Sequence, residues 1–164
     1  MRKLDNTDKN EIFLIRSDQG MNRYIERPRL KTMHDAEEFI QKIHNNLDDE
    51  LSIYWAIGLT GHPQLIGTIC LWNFSDNHTA AEIGYELIPE YQGKGFLSEA
   101  LRSVLDYGFN NISLKRIDAY THKENKPSIN LLQKNGFTPE LNKTDPDQPF
   151  NIIFSLTQVN FKNT

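Results

Sequence analysis

The residues best suited to chemistry lie between Ala81 and Ala100, a stretch whose pattern predicts a strand, a glycine-rich loop and then a helix. The loop contains Gly93, Lys94 and Gly95 directly before the helix. Glycine lets the backbone come close to a ligand, and the first amides of a helix have no helical acceptor. A helix start binds phosphate oxygens through these amides and its partial positive charge, to which Lys94 adds a full charge. The stretch therefore predicts a site for a diphosphate.

Two familiar phosphate-binding motifs do not explain this loop. The P-loop pattern G-x-x-x-x-G-K-[ST] is absent, and the dinucleotide pattern G-x-G-x-x-G matches only Gly93 and Gly95, because Ser98 occupies its third glycine position. A glycine-rich turn without any ligand explains two glycines equally well. The loop alone thus indicates phosphate binding without naming the ligand.

The predicted strand before the loop carries two carboxylates. Side chains alternate across a strand, so Glu82, Gly84 and Glu86 share one face, and the glycine leaves room above it. A carboxylate in such a position can take a proton or bind an ammonium group. The alternative is a solvated or salt-bridged side chain with no chemical role.

The elements around this stretch indicate a mixed sheet flanked by helices. Helical spacing predicts a short helix around Glu11 to Ile15 and a second that begins after Thr32, with an irregular loop from Gly20 to Leu30 between them. Aromatic and β-branched runs then predict three strands, at Leu51 to Leu59, Leu65 to Phe74 and Ala80 to Ile88. The first connecting turn is Gly61-His62-Pro63. Short turns between adjoining strands favour an antiparallel meander.

The second half of the chain predicts the clearest helix and two more strands. Apolar residues from Leu97 to Phe109 recur at helical spacing, the pattern of a helix packed on a sheet. Strands are expected at Arg116 to Thr121 and Asn151 to Leu156, with a helix between them that Asn125 caps and Gly136 ends. The fold class is thus α/β in the loose sense of mixed α and β, and residues 1–164 are interpreted as a single domain.

The composition argues against several classes of protein. A net charge of −4 and the lack of a concentrated Lys/Arg run disfavour a nucleic-acid partner. The longest apolar stretch of note, Ile53 to Leu59, is far short of the roughly 18 residues that a membrane span needs. The five histidines form no close ligand pair, so no metal is expected. A single cysteine, Cys70, suits a reducing cytoplasm and a place in the core.

Several motifs in order resemble one family. They are Ala81-Glu82-Ile83-Gly84-Tyr85, Gln92-Gly93-Lys94-Gly95, Ser98-Glu99-Ala100-Leu101, Asn125-x-x-Ser128 and Leu132-x-Lys134-x-Gly136-Phe137. With these motifs the chain resembles the GNAT superfamily of acetyl-CoA-dependent N-acetyltransferases, and it looks closest to the Rim-type branch that acetylates ribosomal-protein N-termini. The resemblance covers most of the chain. It implies a GNAT-like sheet, mostly antiparallel, with a pyrophosphate loop between a strand and the central helix.

The resemblance implies acetyl-CoA as co-substrate and assigns its contacts. Backbone amides of the loop and the helix start would cradle the pyrophosphate, namely those of Gln92, Gly93, Lys94, Gly95, Phe96, Leu97 and Ser98. The pantetheine arm would run beside Leu87 and Ile88 and contact Asn125, and a backbone N–H near Leu87 would face the thioester oxygen. Leu97 departs from the family signature, which has a small residue there. This departure affects the local geometry of the helix start and not the identity of the co-substrate.

The same resemblance implies direct attack of an amine on the thioester in a ternary complex. Glu82 stands at the position of a frequent general base, acting directly or through water, and Glu86 is a lesser candidate that could anchor the amine. The usual tyrosine acid is missing, because Leu132 occupies its position. Ser128 matches a Rim-type serine near the CoA sulfur, where it would hydrogen-bond the thiolate rather than protonate it. A purely local role in the first turn of its helix is the alternative for Ser128.

The acceptor stays open at this point. A protein N-terminal amine is favoured by the Rim-type resemblance, while polyamines, amino acids and amine-bearing antibiotics are alternatives, as is a CoA-binding regulatory module without turnover. In such enzymes a loop such as Ser17 to Tyr24 shapes acceptor specificity, and Tyr54, Trp72 and Tyr85 line either an acceptor pocket or the core. The expected form is a cytoplasmic monomer or homodimer, with neither nucleic acid nor membrane as partner.

Overall fold

The computed structural model describes residues 1–62 and 64–162. The helices are α1 (Lys9–Ser17), α2 (Met33–Asp48), α3 (Phe96–Asp106), α4 (Lys126–Lys134) and α5 (Gln158–Phe161). The strands are β1 (Arg2–Lys3), β2 (Ser52–Gly58), β3 (Leu65–Trp72), β4 (Ala80–Leu87), β5 (Arg116–His122), β6 (Thr138–Pro139) and β7 (Asn151–Thr157). The longer elements lie where the sequence predicts them. Pro63, in the predicted turn after β2, lies outside the described residues.

Among the described residues the strands form a seven-stranded sheet in the order β1-β2-β3-β4-β5-β7-β6. Strands β4 and β5 pair in parallel, whereas the pairs β1–β2, β5–β7 and β6–β7 are antiparallel. The mixed, mostly antiparallel sheet flanked by helices confirms the predicted fold class. Strands β1 and β6 were not predicted, because a two-residue strand carries no readable alternation.

The chain divides into two compact units, Met1–Cys70 with Tyr85–Ala100, and Leu71–Gly84 with Leu101–Thr164. The core of the first unit contains the apolar faces of α1 and α2, where Ile12, Ile15 and Ile40 are fully buried. These side chains follow the 3.6-residue period, so the helices pack through the stripe that the sequence shows.

The core of the second unit involves the end of the central helix. The regular helix α3 ends at Asp106, and a π-helical segment, Tyr107–Asn111, continues it. The predicted stripe through Phe109 is therefore right about burial, since Phe109 is almost fully buried, but wrong about α-helical geometry in the last turn. A Cβ on Gly108 would lie 3.0 Å from Ile117 Cδ1, so glycine lets the π-helical segment pack closely on β5.

The predicted helix ends are present. The Thr32 side chain accepts from the Asp35 N–H, and the Asp35 carboxylate accepts from the Thr32 N–H, which makes a capping box before α2. After α4, Gly136 has a φ of 87°, and the Phe137 N–H donates to the Leu132 carbonyl at 3.1 Å. This pattern is a Schellman motif, which satisfies carbonyls that the helix itself leaves unpaired.

Gly67 in β3 leaves no room for a side chain. A Cβ there would lie 2.4 Å from the Glu86 carbonyl oxygen and 3.1 Å from the Leu87 Cα, both in the backbone of β4. Gly67→Ala is therefore expected to force β3 and β4 apart and to lower the free energy of unfolding by about 2–3 kcal/mol, measured by urea denaturation. Gly58→Ala is the control, because its Cβ would meet no atom closer than 3.4 Å. An equal loss of unfolding free energy in the two variants would contradict the close packing of β3 on β4 at Gly67.

Candidate active site

The glycine-rich loop of the first unit follows the end of β4. A single turn of 3-10 helix, Pro89–Tyr91, leads into it, and the helix α3 then begins at Phe96. Gly93 has a φ of 72° and Gly95 a φ of 89°, a region that favours glycine. A Cβ added to either glycine would meet nothing within 4 Å, so the loop presents an open backbone surface.

The side chain of Gln92 ties this loop to β4. Its Nε2 donates to the Leu87 carbonyl at 2.9 Å, and its backbone N–H donates to the Pro89 carbonyl at 3.1 Å. The structure thus brings together two of the predicted cofactor residues, Leu87 and Gln92. The sequence motif suggested only the amide of Gln92 as a contact, so the role of the side chain was missed.

The loop and helix start fit a pyrophosphate. The Glu99 N–H donates to the Gly95 carbonyl at 3.0 Å and closes the first turn of α3. Helix geometry provides no helical acceptor for the preceding amides, those of Phe96, Leu97 and Ser98. Lys94 is exposed on the loop, with its Nζ 5.9 Å from the centroid of the Tyr91 ring. A helix start with one cation beside it suits a diphosphate group.

In the second unit, Glu82 lies half-buried on β4 with a defined hydrogen-bond partner. Asn73 Nδ2 donates to Glu82 Oε1 at 2.6 Å. Burial raises the pKa of Glu82 above its ordinary value, the hydrogen bond from Asn73 lowers it, and the negative charges of Asp118 and Asp145 raise it. The net effect is a raised pKa, which is the direction that a general base working near neutral pH requires.

The sequence did not reveal these neighbours of Glu82. Asp118 lies directly opposite Glu82 in the parallel pairing of β4 with β5. The two strands are far apart in the chain, at Ala80–Leu87 and Arg116–His122, and the register of a parallel pair is not readable from either strand alone. Asp118 in β5 was the available signal, but only the pairing of the strands connects it to Glu82.

Asn125 and Ser128 lie together at the start of α4. Asn125 Oδ1 accepts from the Ser128 N–H at 3.3 Å, so its role as helix cap is confirmed. Ser128 is buried, with 9% of its surface exposed. Leu132, at the position where the family resemblance would place a tyrosine, is fully buried and belongs to the core.

Glu86, the lesser candidate for an amine anchor, is already engaged in the first unit. Arg27 Nη2 donates to its Oε1, and Arg16 Nη1 lies 3.7 Å from its Oε2. Two guanidinium groups thus face one carboxylate. Glu86 therefore has much less capacity to attract an ammonium group than an isolated carboxylate would have.

The remaining candidates differ in burial. Tyr54 donates its hydroxyl to Thr68 Oγ1 at 3.1 Å, and burial raises its pKa, so it is a structural hydroxyl rather than an acid near neutral pH. Trp72 is 47% exposed, and Tyr85 is half-buried. Cys70 is only half-buried, so its predicted place in the core is wrong: it lies near the end of β3, next to a fully buried Leu71.

Within the described ranges, no helix combines the length and apolar character needed to cross a membrane. Residues 1–62 and 64–162 also contain no group of three or more His, Cys, Asp or Glu side chains arranged to hold a metal ion.

Comparison with known proteins relates this geometry to a family. Residues 1–138 match the family described as the acetyltransferase (GNAT) domain. The uncharacterized N-acetyltransferase YoaA of Bacillus subtilis is 34% identical over 140 residues, 85% of this chain and 79% of the relative. A crystal structure of a GNAT-family acetyltransferase from Bacillus anthracis superposes with a TM-score of 0.81 at 26% identity, covering 96% of this chain and 93% of that one.

Two further relatives have names that state an acceptor. The spermidine N(1)-acetyltransferase of Vibrio cholerae is 27% identical over 141 residues, 85% of this chain and 79% of the relative. The putative ribosomal N-acetyltransferase YdaF of Bacillus subtilis is 32% identical over 83 residues, 51% of this chain and 45% of the relative. One of these names thus states spermidine as the acceptor, and the other names a putative ribosomal N-acetyltransferase.

The fold and the matched region define an acetyl-CoA-dependent N-acyltransferase. The chain belongs to the GNAT acetyltransferase family.

Proposed function

We propose that this enzyme acetylates a primary amine by direct attack, with Glu82 as the general base. The observation that carries the proposal is the environment of Glu82: half-buried, held by Asn73, and given a raised pKa first by its burial and then by Asp118 and Asp145. A raised pKa brings this carboxylate closer to the pKa of an ammonium group. It can therefore take the proton at a smaller free-energy cost than an ordinary surface glutamate.

The proposed reaction balances without an enzyme nucleophile. Acetyl-CoA supplies an acetyl group activated as a thioester. Glu82 takes one proton from the ammonium, directly or through water, and passes it to solvent. The amine nitrogen then forms a bond to the carbonyl carbon, the carbon–sulfur bond breaks, and the second proton of the nitrogen ends on the departing sulfur. Ser128 would hydrogen-bond that sulfur, and Asn125 would position the arm that carries it.

Residues of the first unit would contact acetyl-CoA. Amides of residues 92–98 would bind the pyrophosphate, with Lys94 as the adjacent charge, and Leu87 and Ile88 would line the arm. The open backbone at Gly93 and Gly95 supports this assignment.

Among acceptors we favour a protein N-terminal amine. The Rim-type motifs and the similarity to a putative ribosomal N-acetyltransferase support this choice. A polyamine is the competing acceptor, because a spermidine acetyltransferase is similar over more of the chain. The pairing of Glu86 with two arginines disfavours a polycation at that position. A regulatory module that binds acetyl-CoA without turnover is the alternative that an assay can exclude.

The test is release of free CoA thiol from acetyl-CoA with N-terminal peptides, polyamines, free amino acids and aminoglycosides, with product masses to confirm acetylation. The expected result is faster thiol release with N-terminal peptides than with any other class of amine. Strong preference for spermidine would overturn the choice of acceptor. Acetyl-CoA binding without turnover for any amine would overturn the proposed catalytic function.

The pH dependence of the reaction tests the base separately. Asn73→Ala removes a contact that lowers the pKa of Glu82, so the acid limb of the kcat/KM profile should move to higher pH. Asp118→Asn removes a charge that raises this pKa, so the same limb should move to lower pH, while the hydrogen bond from Arg116 Nε can be kept. Shifts in the same direction, or no shift in either variant, would exclude Glu82 as the titrating base.

A further inference from the structure

Three charged side chains of the first unit form a cluster that the proposed reaction does not use. Arg16 lies near the end of α1, Arg27 lies in the segment between α1 and α2, and Glu86 lies on β4. Their side chains are 16%, 17% and 10% exposed, so the cluster is mostly buried but still open to solvent.

The two arginines are held differently. Arg27 Nε donates to Asn22 Oδ1 at 2.9 Å, and its Nη2 donates to Glu86. Asn22 in turn donates to the carbonyls of Ile15 and Asp18 at 2.8 and 2.7 Å, which fixes the start of the loop. Arg27 is therefore anchored at both ends of its guanidinium group.

Arg16 is poorly satisfied by comparison. Its nearest contact to Glu86 is 3.7 Å, longer than a hydrogen bond, and its buried Nε has no hydrogen-bond acceptor in the described part of the chain. Its guanidinium carbon lies 3.9 Å from the centroid of the Phe39 ring. Burial and then the charge of Arg27 lower the pKa of Arg16, and Glu86 and the Tyr54 hydroxyl oppose this effect only in part.

The cluster thus holds two positive charges against one negative charge. A mostly buried surplus cation is unfavourable unless an anion compensates it. The planar guanidinium group can bind a carboxylate through two parallel hydrogen bonds. In Arg16 the Nε is a donor without an acceptor among the described residues.

The position of the cluster connects it to the acceptor. Glu86 directly precedes Leu87, which is expected to line the acetyl-CoA arm. Arg16 directly precedes the segment from Ser17 to Tyr24, which is expected to shape acceptor specificity, and Arg27 follows it by three residues. An anion bound by these arginines would therefore belong to the acceptor.

We propose that the acceptor amine carries a carboxylate, which Arg16 and Arg27 bind while Glu86 holds the two arginines in place. This inference rests on the proposed acetyl-transfer function and narrows its acceptor. The carboxylate belongs either to a free amino acid or to an acidic residue at the acetylated N-terminus of a peptide. A polyamine does not fit, because it would place more positive charge against a cluster that already has an excess.

The first experiment compares acceptors that differ only in charge, using kcat/KM from thiol release. One arm pairs alanine with alaninamide, and the other pairs the amidated peptides Asp-Ala-Ala and Asn-Ala-Ala. At least a tenfold preference for the carboxylate member of one pair is expected, and the pair that shows it identifies the source of the carboxylate. Turnover without preference in both pairs, or a higher kcat/KM for spermidine, would overturn this inference and leave acetyl transfer intact. Absence of thiol release with every amine would overturn the proposed function as well.

The second experiment removes the charges. Arg27→Gln and Arg16→Gln should raise the KM of the preferred acceptor at least tenfold and abolish the preference within its pair, with the KM for acetyl-CoA within twofold of wild type. Arg29→Gln is the matched control, because Arg29 is exposed two residues beyond Arg27. Circular dichroism establishes whether each variant is folded. If Arg16→Gln does not fold, Arg27→Gln alone tests the proposal. A preference that survives Arg27→Gln in the folded protein would overturn the role of the cluster.

Discussion

Replacing Glu82 by glutamine is expected to lower kcat/KM by about 10²–10³-fold near neutral pH, in the range that removal of a general base produces. Glutamine keeps the size of the side chain and can still bond with Asn73, so the change removes mainly the ability to take a proton. The deficit should shrink as pH rises, because an increasing fraction of the acceptor amine is then unprotonated in solution. A pH series of kcat/KM from thiol release measures this effect.

The control is Glu38→Gln, an exposed carboxylate on α2 whose side chain is 68% exposed. It should leave kcat/KM and the thermal midpoint unchanged. Glu82→Gln with wild-type rates at every pH would remove Glu82 from the mechanism. A deficit of the same size at all pH values would point to a role in binding or structure instead of proton transfer.

Gly95→Ala is expected to weaken acetyl-CoA binding by about 10- to 100-fold, measured by isothermal titration calorimetry. The φ of 89° is unfavourable for any side chain, and such strain amounts to about 1–3 kcal/mol. Each factor of ten in affinity corresponds to about 1.4 kcal/mol. Because an added Cβ meets nothing within 4 Å, the variant should fold and change its loop backbone, which is the expected ligand for the pyrophosphate.

Gly61→Ala provides a matched comparison. Gly61 has a φ of 79°, and its Cβ would likewise meet nothing within 4 Å, but it lies in the turn after β2 rather than in the glycine-rich loop. It should lose similar stability while its affinity for acetyl-CoA stays at the wild-type value. Equal affinity in the two variants would show that the loop around Gly95 does not bind the co-substrate.

The helices and strands were predicted well because the residues that start and end them interact with neighbours close in the sequence. The capping pair Thr32 and Asp35, the cap Asn125 and the terminator Gly136 each act within one helical turn. The stripe in α3 is equally local, and it failed only beyond Asp106, where the bonding shifts to the π pattern. For the same reason the loop between β4 and α3 could be located from its glycines.

Features that depend on distant pairing could not be predicted. Asp118 reaches Glu82 only through the register of β4 with β5. The engagement of Glu86 by Arg27 joins residues 59 positions apart, and it turned a predicted amine anchor into part of an arginine cluster. The half-buried state of Cys70 likewise depends on neighbouring elements, because alternation along β3 alone says nothing about what covers each face.

The bond from the Gln92 side chain to the Leu87 carbonyl has a thermodynamic consequence. Together with the backbone bonds of Tyr91 and Gln92 to the preceding turn, it restricts the loop before any ligand arrives. The conformational entropy of these residues is then lost during folding and not during association, so the loop is preorganised for its ligand. Association of acetyl-CoA should therefore proceed with little ordering of the backbone, and its entropy change should be dominated by released water and the flexibility of the ligand itself.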